Sequence, residues 1–231
     1  MLVKRWDKLP IDMQNDAVRP YYEILRKKVV SLLVKRLFDI VMSIVLLVVL
    51  SPVFLIVSLF IKADSKGPVF YRQERVTQYG KVFKIFKFRT MVVNADQIGS
   101  LVTINNDSRV TKIGKKLRKY RLDEVPQLLN ILTGDMTFVG TRPEVPKYVA
   151  CYTDEMKATL LLPAGVTSKA SIEYKDEEKI LKEAENTDEV YVERILGEKM
   201  RINIESIQSF SFFSDIILLM KTVITVIKKD S

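Results

Sequence analysis

Apolar residues are concentrated in one block near the N-terminus, which runs from Ile40 to Ile61 without a charged side chain. A helix needs about 20 such residues to cross the hydrocarbon core of a bilayer. The block begins too far from Met1 for a cleaved signal peptide, and no small-residue cleavage site follows it. A buried helix of a soluble domain is expected to carry a polar stripe, which this block lacks. The pattern therefore predicts a membrane segment.

Two features of this block argue against a simple crossing. Ser51 and Pro52 lie at its centre, where proline removes a backbone donor and bends or breaks a helix. A crossing helix has its lysine and arginine bias on one side, whereas this block has basic residues on both flanks. Those residues are Arg26, Lys27, Lys28, Lys35 and Arg36 before the block, and Lys62, Lys66, Arg72 and Arg75 after it. We therefore expect a re-entrant helical hairpin over residues 35–62, with a kinked transmembrane helix as the alternative.

The segments on either side of the block have their own patterns. Residues 1–34 are polar and mixed, and they predict an extension that ends in a short amphipathic helix on the membrane surface. Asp39, at the entrance of the block, is expected to pair with Lys35 or Arg36. Basic and apolar residues alternate over 67–91, which predicts a β-hairpin or an extended segment with a basic face.

Helical patterns dominate the second half of the chain. After a polar loop that reaches Asp107, helical periodicity runs from Thr111 to Leu132, with Gly134 as the expected C-cap. Residues 173–194 are charged and predict solvated helices. The apolar C-terminal stretch predicts a helix capped by Ser214 or Asp215. That helix either lies on the membrane or packs against the domain, and the pattern leaves both open.

Charge and composition narrow the chemistry. The chain of 231 residues has a formal net charge of +9, so it favours anionic partners such as nucleic acid, anionic lipid or phosphorylated substrates. It contains no histidine and one cysteine, Cys151, which we expect to be buried and inert. Ser-His-Asp and Cys-His catalysis, histidine-ligated and Cys-rich zinc sites, an intrachain disulfide and iron–sulfur clusters are thereby excluded. Catalysis must use carboxylates, lysines, arginines, hydroxyls or a bound hard cation.

The densest chemical signal lies between Lys112 and Pro146, where six basic residues precede the pair Asp123-Glu124. Adjacent helical positions point about 100° apart, so the two carboxylates are expected to have different roles. One can attack phosphorus while the other holds a divalent cation, with nearby arginines on the phosphoryl oxygens. On physical grounds alone, a solvated helix face explains most such runs of charge.

The order of several motifs resembles the bacterial sugar transferases, also described as monotopic polyprenyl-phosphate phosphoglycosyl transferases. The resemblance extends from about Lys35 to Ile227. Its motifs are KRLFDI, an apolar run broken by Ser-Pro, GPVFYRQERV, KVFKIFKFRTM, RLDEVPQLLNILTGDMTFVGTRP and the apolar C-terminal helix. The implied fold is mostly α with a small β element. It consists of an extension (1–34), a re-entrant membrane helix (35–62) and a compact catalytic domain at the cytoplasmic face of the bacterial inner membrane (63–231).

The resemblance also implies residue roles. Asp123 is the expected covalent nucleophile and Glu124 the expected Mg²⁺ ligand. Ser51 and Pro52 match the break that makes the family's membrane helix re-entrant. The expected substrate- or phosphate-binding residues are Arg118, Arg142, Lys87, Arg89, Gln127 and Asp135.

The implied reaction transfers a sugar-1-phosphate from a UDP-sugar to undecaprenyl phosphate through a phosphosugar-aspartate intermediate, and it initiates a bacterial surface glycan. The expected partners are donor, acceptor and membrane lipids, without nucleic acid, and a homodimer is left open. One stretch, LLPAGVTSKASI, departs from the family's Arg-Pro-Gly-Ile-Thr-Gly: Leu162 precedes the proline, Ala164 is extra and Ser168 replaces glycine. The identity of the sugar is therefore not carried over.

Two alternative functions remain. A non-catalytic basic adaptor on the membrane surface explains the charge and the apolar block, but it leaves the acidic pair and the Gly-Thr-Arg-Pro motif unexplained. A multi-spanning transferase that works by one-step attack needs more apolar spans than this sequence contains.

Overall fold

The computed structural model describes residues 3–95, 107–174 and 187–228. The protein is mostly helical, with two small two-stranded sheets in the described part of the chain. The helices are α1 (Arg19–Arg26), α2 (Val29–Val49), α3 (Ser51–Asp64), α4 (Lys112–Lys119), α5 (Gln127–Thr133), α6 (Pro146–Val149), α7 (Lys169–Glu173), α8 (Thr187–Val190), α9 (Gly197–Gln208) and α10 (Phe212–Lys228). The strands are β1 (Phe70–Val76), β2 (Val82–Phe88), β3 (Met136–Val139) and β4 (Ala164–Thr167). Parts of two predicted segments, the loop before Asp107 and the charged helices of 173–194, lie outside the described residues.

The apolar block forms α2 and α3, which meet at Leu50 with a bend of 60°. Pro52 has no N–H to continue the α2 ladder, and the Ser51 hydroxyl donates to the Val48 carbonyl at 2.8 Å. The predicted break at Ser-Pro is therefore confirmed. Within the described residues, no single helix is long and apolar enough to cross a bilayer, whereas α2 and α3 together satisfy that criterion by length and composition.

The outer surface of the bent pair is apolar. One side of α2 packs on a core formed with α5 and β3, through Phe38, Met42, Leu46 and Leu47. The large apolar side chains that stay more than half exposed are Val30, Leu37, Val41, Val48, Val49, Leu55, Ile56, Leu59 and Phe60. A contiguous exposed apolar surface of this kind marks contact with lipid or another protein.

Charged residues of the KRLFDI motif fasten α2 to the rest of the protein. Lys35 donates to the Val139 carbonyl at 2.7 Å and forms an ion pair with Asp215 of α10 at 2.5 Å. Asp39 is fully buried and accepts hydrogen bonds from the Thr137 hydroxyl at 2.7 Å and from a backbone N–H of β3 at 3.2 Å. Asp39 thus forms its hydrogen bonds with β3 rather than the pairing with Lys35 or Arg36 that the sequence allowed.

The predicted hairpin is confirmed: β1 and β2 pair antiparallel from Phe70 opposite Phe88 to Val76 opposite Val82. Strands β3 and β4 pair in parallel. A Cβ added to Gly165 would lie 2.2 Å from the backbone of Gly140, so glycine allows β4 to approach the start of the Gly-Thr-Arg-Pro loop.

The predicted continuous helix over residues 111–132 is wrong. Helix α4 ends at Lys119, Arg121 adopts a left-handed conformation with φ 56°, and a 3₁₀ turn covers Leu122–Glu124 before α5 begins. Pro126, which cannot donate a backbone hydrogen bond, precedes α5. The acidic pair therefore lies at a junction between two helices. The expected C-cap is confirmed, with Gly134 at φ 92°.

The extension contains the predicted short helix, α1. Its apolar side chains Tyr21, Tyr22 and Leu25 are buried in the largest core, where α1 contacts α9. That side of α1 faces the protein interior, which differs from the expectation of a helix on the membrane surface.

The C-terminal helix α10 packs against the domain along one side, which is one of the two placements that the sequence leaves open. Leu218 and Leu219 pack on the core that holds β3 and α5. The opposite side exposes Phe213, Ile217, Met220, Val223 and Ile224. This exposed side extends the apolar surface of the protein beyond α2 and α3.

Two predictions about single residues are wrong. Cys151 is exposed. The residue that caps α10 is Ser211, whose Oγ accepts from the Ser214 N–H at 3.1 Å, while the Ser214 Oγ accepts from the Ser211 N–H at 3.1 Å. Asp215 is instead engaged by Lys35.

Candidate active site

The position of α5 brings the acidic pair to the end of β2. The Asn130 amide accepts from the Phe86 N–H at 2.8 Å and donates to the Lys84 carbonyl at 3.1 Å, which locks α5 against the free edge of β2. Arg36 of α2 donates to two carbonyl groups in the last turn of α5 at 2.6 and 3.0 Å, where a cation is favourable. Hydrogen bonds from both sides therefore fix the helix that follows the pair.

Glu124 is the member of the pair whose carboxylate two cations bind. Its Oε1 accepts from Lys87 at 2.9 Å and from Arg142 at 2.5 Å, and a second Arg142 nitrogen lies 3.4 Å from Oε2. Burial raises the pKa of Glu124, but the Arg142 guanidinium and the Lys87 ammonium outweigh burial and hold this pKa well below its usual range. Glu124 thus brings two cations together beside Asp123.

Asp123 has a different environment. Its side chain is 8% exposed, and its Oδ1 makes no hydrogen bond. Burial raises the pKa of Asp123 and the adjacent Glu124 charge raises it further, whereas Lys87 and Arg118 oppose the shift. A carboxylate that is held near cations is suited to attack an electrophile, and its unbonded Oδ1 can still accept a hydrogen bond.

Three predicted phosphate-binding cations surround the pair. Lys87 and Arg142 contact Glu124, and burial lowers the pKa of Lys87, as does the charge of Arg142. Arg118 donates from Nε to the Thr90 hydroxyl at 2.9 Å, and its charge acts on Asp123. Guanidinium groups placed this way can bind phosphoryl oxygens in two-point contacts.

Gln127 lies one helical turn after Asp123, as predicted for a residue beside the site. Its side chain is 1% exposed, and neither Nε2 nor Oε1 has a hydrogen-bond partner. A buried amide without partners is uncommon in proteins.

The structure does not bring Arg89 or Asp135 to this cluster. Arg89 is 5% exposed and donates to the Ser65 carbonyl at 2.6 Å and the Ser65 hydroxyl at 2.9 Å, just after α3 ends. Asp135 pairs with Lys81 at 2.8 Å. This pair lies beyond the C-terminal end of α5, and the acidic pair precedes its N-terminal end, so the length of α5, about 10 Å, separates them.

Sequence reasoning missed Arg75 of β1. Its guanidinium donates to the Pro143 carbonyl at 3.2 Å and to the Gln73 side chain at 2.6 Å, so it holds the loop that carries Arg142. The alternation of Gln73 and Arg75 along a predicted strand was the available signal, since residues two apart point to one face.

Glu144, the next residue of that loop, belongs to a buried network that the sequence did not indicate. The Tyr191 hydroxyl donates to Glu144 at 2.5 Å, and Lys199 donates to the Tyr191 hydroxyl at 3.2 Å. The network ties the loop to the helical stretch that contains α9.

The described residues include no group of three or more acidic, cysteine or histidine side chains able to enclose a metal ion. Mg²⁺ is commonly held by one or two carboxylates together with substrate phosphates. Glu124 can supply one such ligand, but Lys87 and Arg142 already share its carboxylate. Among the described residues, Glu124 is thus a candidate for one magnesium ligand, and further ligands would have to come from substrate phosphate and water.

Comparison with known proteins gives a consistent result. The family model described as bacterial sugar transferase matches residues 30–229. The chain is 31% identical over 197 residues to the UDP-N-acetylgalactosamine-undecaprenyl-phosphate N-acetylgalactosaminephosphotransferase of Aeromonas hydrophila, covering 84% of this chain and 44% of that protein. It is 39% identical over 165 residues to the UDP-glucose:undecaprenyl-phosphate glucose-1-phosphate transferase of Escherichia coli. The matched residues cover 70% of this chain and 35% of that protein.

A third relative matches along nearly its whole length. The exopolysaccharide production protein ExoY of Sinorhizobium fredii is 30% identical over 228 residues, which cover 92% of this chain and 90% of that protein. By contrast, the chain spans less than half the length of the Aeromonas and Escherichia relatives.

Proposed function

The chain belongs to the bacterial sugar transferase family, and from this membership we propose that it transfers a sugar-1-phosphate from a UDP-sugar to undecaprenyl phosphate. The observation that carries the proposal is the contrast within the acidic pair. Glu124 is ionised and bound by two cations, whereas Asp123 is buried with a free oxygen beside the same cations. The product begins a surface glycan, in line with the name of the Sinorhizobium relative.

The proposed reaction has two displacements. Asp123 forms a bond to the β-phosphorus of the UDP-sugar, the bond from that phosphorus to the bridging oxygen breaks, and UMP leaves with the electron pair. A phosphate oxygen of undecaprenyl phosphate then attacks the same phosphorus, and the Asp123 carboxylate leaves. The product is undecaprenyl diphosphate sugar. One carboxylate thereby serves both substrates in turn.

The basic residues around the acidic pair offset the negative charge of the two phosphorylated substrates. Arg142, Lys87 and Arg118 lie around the pair and can bind oxygens of the diphosphate during both displacements. Glu124 would hold Mg²⁺, which neutralises diphosphate charge when bound. Arg75 keeps the Arg142 loop in place from the side of β1.

The bend between α2 and α3 supports a re-entrant membrane segment. Helix α2 has 21 residues and a length of about 31 Å, and α3 has 14 residues and a length of about 21 Å. If the outer ends of both helices lie at one level, the 60° bend places the tip about 12 Å deep. One leaflet of hydrocarbon is about 15 Å thick, so the pair fits within it. This arrangement holds Asp123 at the cytoplasmic surface, where the acceptor phosphate lies.

Labelling both ends of the bent pair tests this topology. We expect cysteines introduced at Lys28 and Lys66, both exposed, to react with an impermeant maleimide in inverted membrane vesicles and not in spheroplasts. The exposed native Cys151 must first be changed to serine, and the parent with Cys151 marks the side of the catalytic domain. Reaction of the two cysteines from opposite sides would establish a spanning helix.

Release of UMP from a panel of UDP-sugars tests the proposed function. With purified protein in nanodiscs, we expect one UDP-sugar to give a stoichiometric burst of UMP without acceptor and a mass increase of one phosphosugar on the chain. Continued release should require undecaprenyl phosphate. No UMP with any donor would favour the basic adaptor, and transfer without a mass adduct would favour one-step attack. The panel also identifies the sugar.

A further inference from the structure

Three buried polar side chains follow one another along one face of the helical stretch after the site junction. Asp123, Gln127 and Asn130 are 8%, 1% and 2% exposed. Val125 and Pro126 both have right-handed helical backbone angles, so residues three and four apart lie on the same side. Gln127 is therefore a direct neighbour of Asp123 on one side and of Asn130 on the other.

The two amides in this row behave differently. Asn130 uses both its amide atoms to bind the backbone of β2. Gln127, one turn earlier on the same face, makes no hydrogen bond with either amide atom. A buried amide without partners destabilises a protein, so the Gln127 amide is a candidate for a hydrogen bond that forms when a substrate binds.

The missing partner is a hydrogen-bond acceptor at the site. Asp123 Oδ1 is also buried without a hydrogen bond, and it belongs to the adjacent side chain of the row. Lys87 is committed to Glu124, and Arg118 donates to Thr90. Gln127 has the complementary donor, and as a neutral group it can orient the carboxylate without stabilising its charge as strongly as a cation does.

We propose that Gln127 is a positioning residue, whose Nε2 donates a hydrogen bond to Asp123 Oδ1 when the donor is bound and so directs Oδ2 at phosphorus. This inference rests on the proposed function. The covalent bond forms between Oδ2 and the β-phosphorus, and Gln127 exchanges no proton.

The variant Gln127→Leu tests the proposal, because leucine has nearly the same size and no amide. We expect its melting temperature in nanodiscs to equal or exceed that of the parent, since an unsatisfied amide is removed. The single-turnover rate of adduct formation should fall by about 100-fold, as for a misplaced reacting group. The dissociation constant for the UDP-sugar should change by less than about threefold, which separates positioning from binding.

Asn130→Leu is the matched control on the same helix face. It removes an amide that is bonded to β2, so we expect a lower melting temperature, the opposite sign to Gln127→Leu. A purely structural role for Gln127 would make the two variants behave alike.

Each other outcome decides against the proposal. Parent-like adduct formation by Gln127→Leu, a lower melting temperature with a matching loss of rate, or weakened donor binding at an unchanged rate would each overturn the role of Gln127. If the parent itself forms no adduct with any UDP-sugar, the proposed function fails as well. Adduct formation by both proteins at equal rates would remove only the positioning role.

Discussion

Asp123→Asn is expected to abolish phosphosugar transfer while leaving the protein as stable as the parent or more so. The amide cannot form the covalent bond to phosphorus, and loss of a catalytic nucleophile commonly lowers kcat by about 10⁴-fold or more. Stability should not fall, because the change removes a buried carboxylate whose Oδ1 has no hydrogen bond. The measurements are the UMP burst, the adduct mass and the melting temperature.

A surface substitution of the same kind is the control. Asp154 is exposed and pairs only locally with Lys157, so Asp154→Asn should keep parental rates. Turnover by Asp123→Asn near that of Asp154→Asn would exclude Asp123 as the nucleophile.

Glu124→Gln is expected to abolish activity as well, but with a loss of stability. The change leaves Lys87 and Arg142 without the carboxylate that both contact. Breaking a fully buried ion pair costs about 3–5 kcal/mol, and we expect about 2–3 kcal/mol here because the Arg142 side chain is 34% exposed. Denaturant unfolding measures this free energy. Binding of Mn²⁺ in the presence of UDP, followed by electron paramagnetic resonance, should weaken in parallel.

The double variant Glu124→Gln/Lys87→Met separates the two effects. Removal of the Lys87 ammonium, which has lost the Glu124 carboxylate, should restore part of the unfolding free energy without restoring activity. Unchanged stability of Glu124→Gln would contradict the role of Glu124 as the partner of Lys87 and Arg142. An unchanged Mn²⁺ titration would contradict its role as a metal ligand. Neighbouring carboxylates, altered in the same way, are thus expected to shift stability in different directions.

Local patterns in the sequence predict local features of this protein well. The apolar block with its central Ser51-Pro52 becomes two helices with a bend, since proline acts on its own helical turn. The alternating segment becomes the β1–β2 hairpin, and Gly134 caps α5. Each of these depends on interactions between residues close in the sequence.

Several of the predictions that differed required a distant partner. Lys87 and Arg89 are two residues apart in the sequence, yet Lys87 contacts Glu124 and Arg89 contacts Ser65. Strand β2 ends at Phe88, so the alternation that would align Lys87 with Arg89 stops between them. Asp39 likewise bonds to β3 rather than to its helical neighbours.

The sequence by itself determined the family, the order of the elements, the acidic pair and the basic residues available to it. Only the tertiary structure decided which base pairs with which acid, that Glu124 takes two cations while Asp123 Oδ1 takes no hydrogen bond, and that the Gln127 amide is left without a partner. The physical reason is that helices and turns form from neighbouring residues, whereas burial and charge pairing depend on chain segments up to 180 residues apart, as for Lys35 and Asp215.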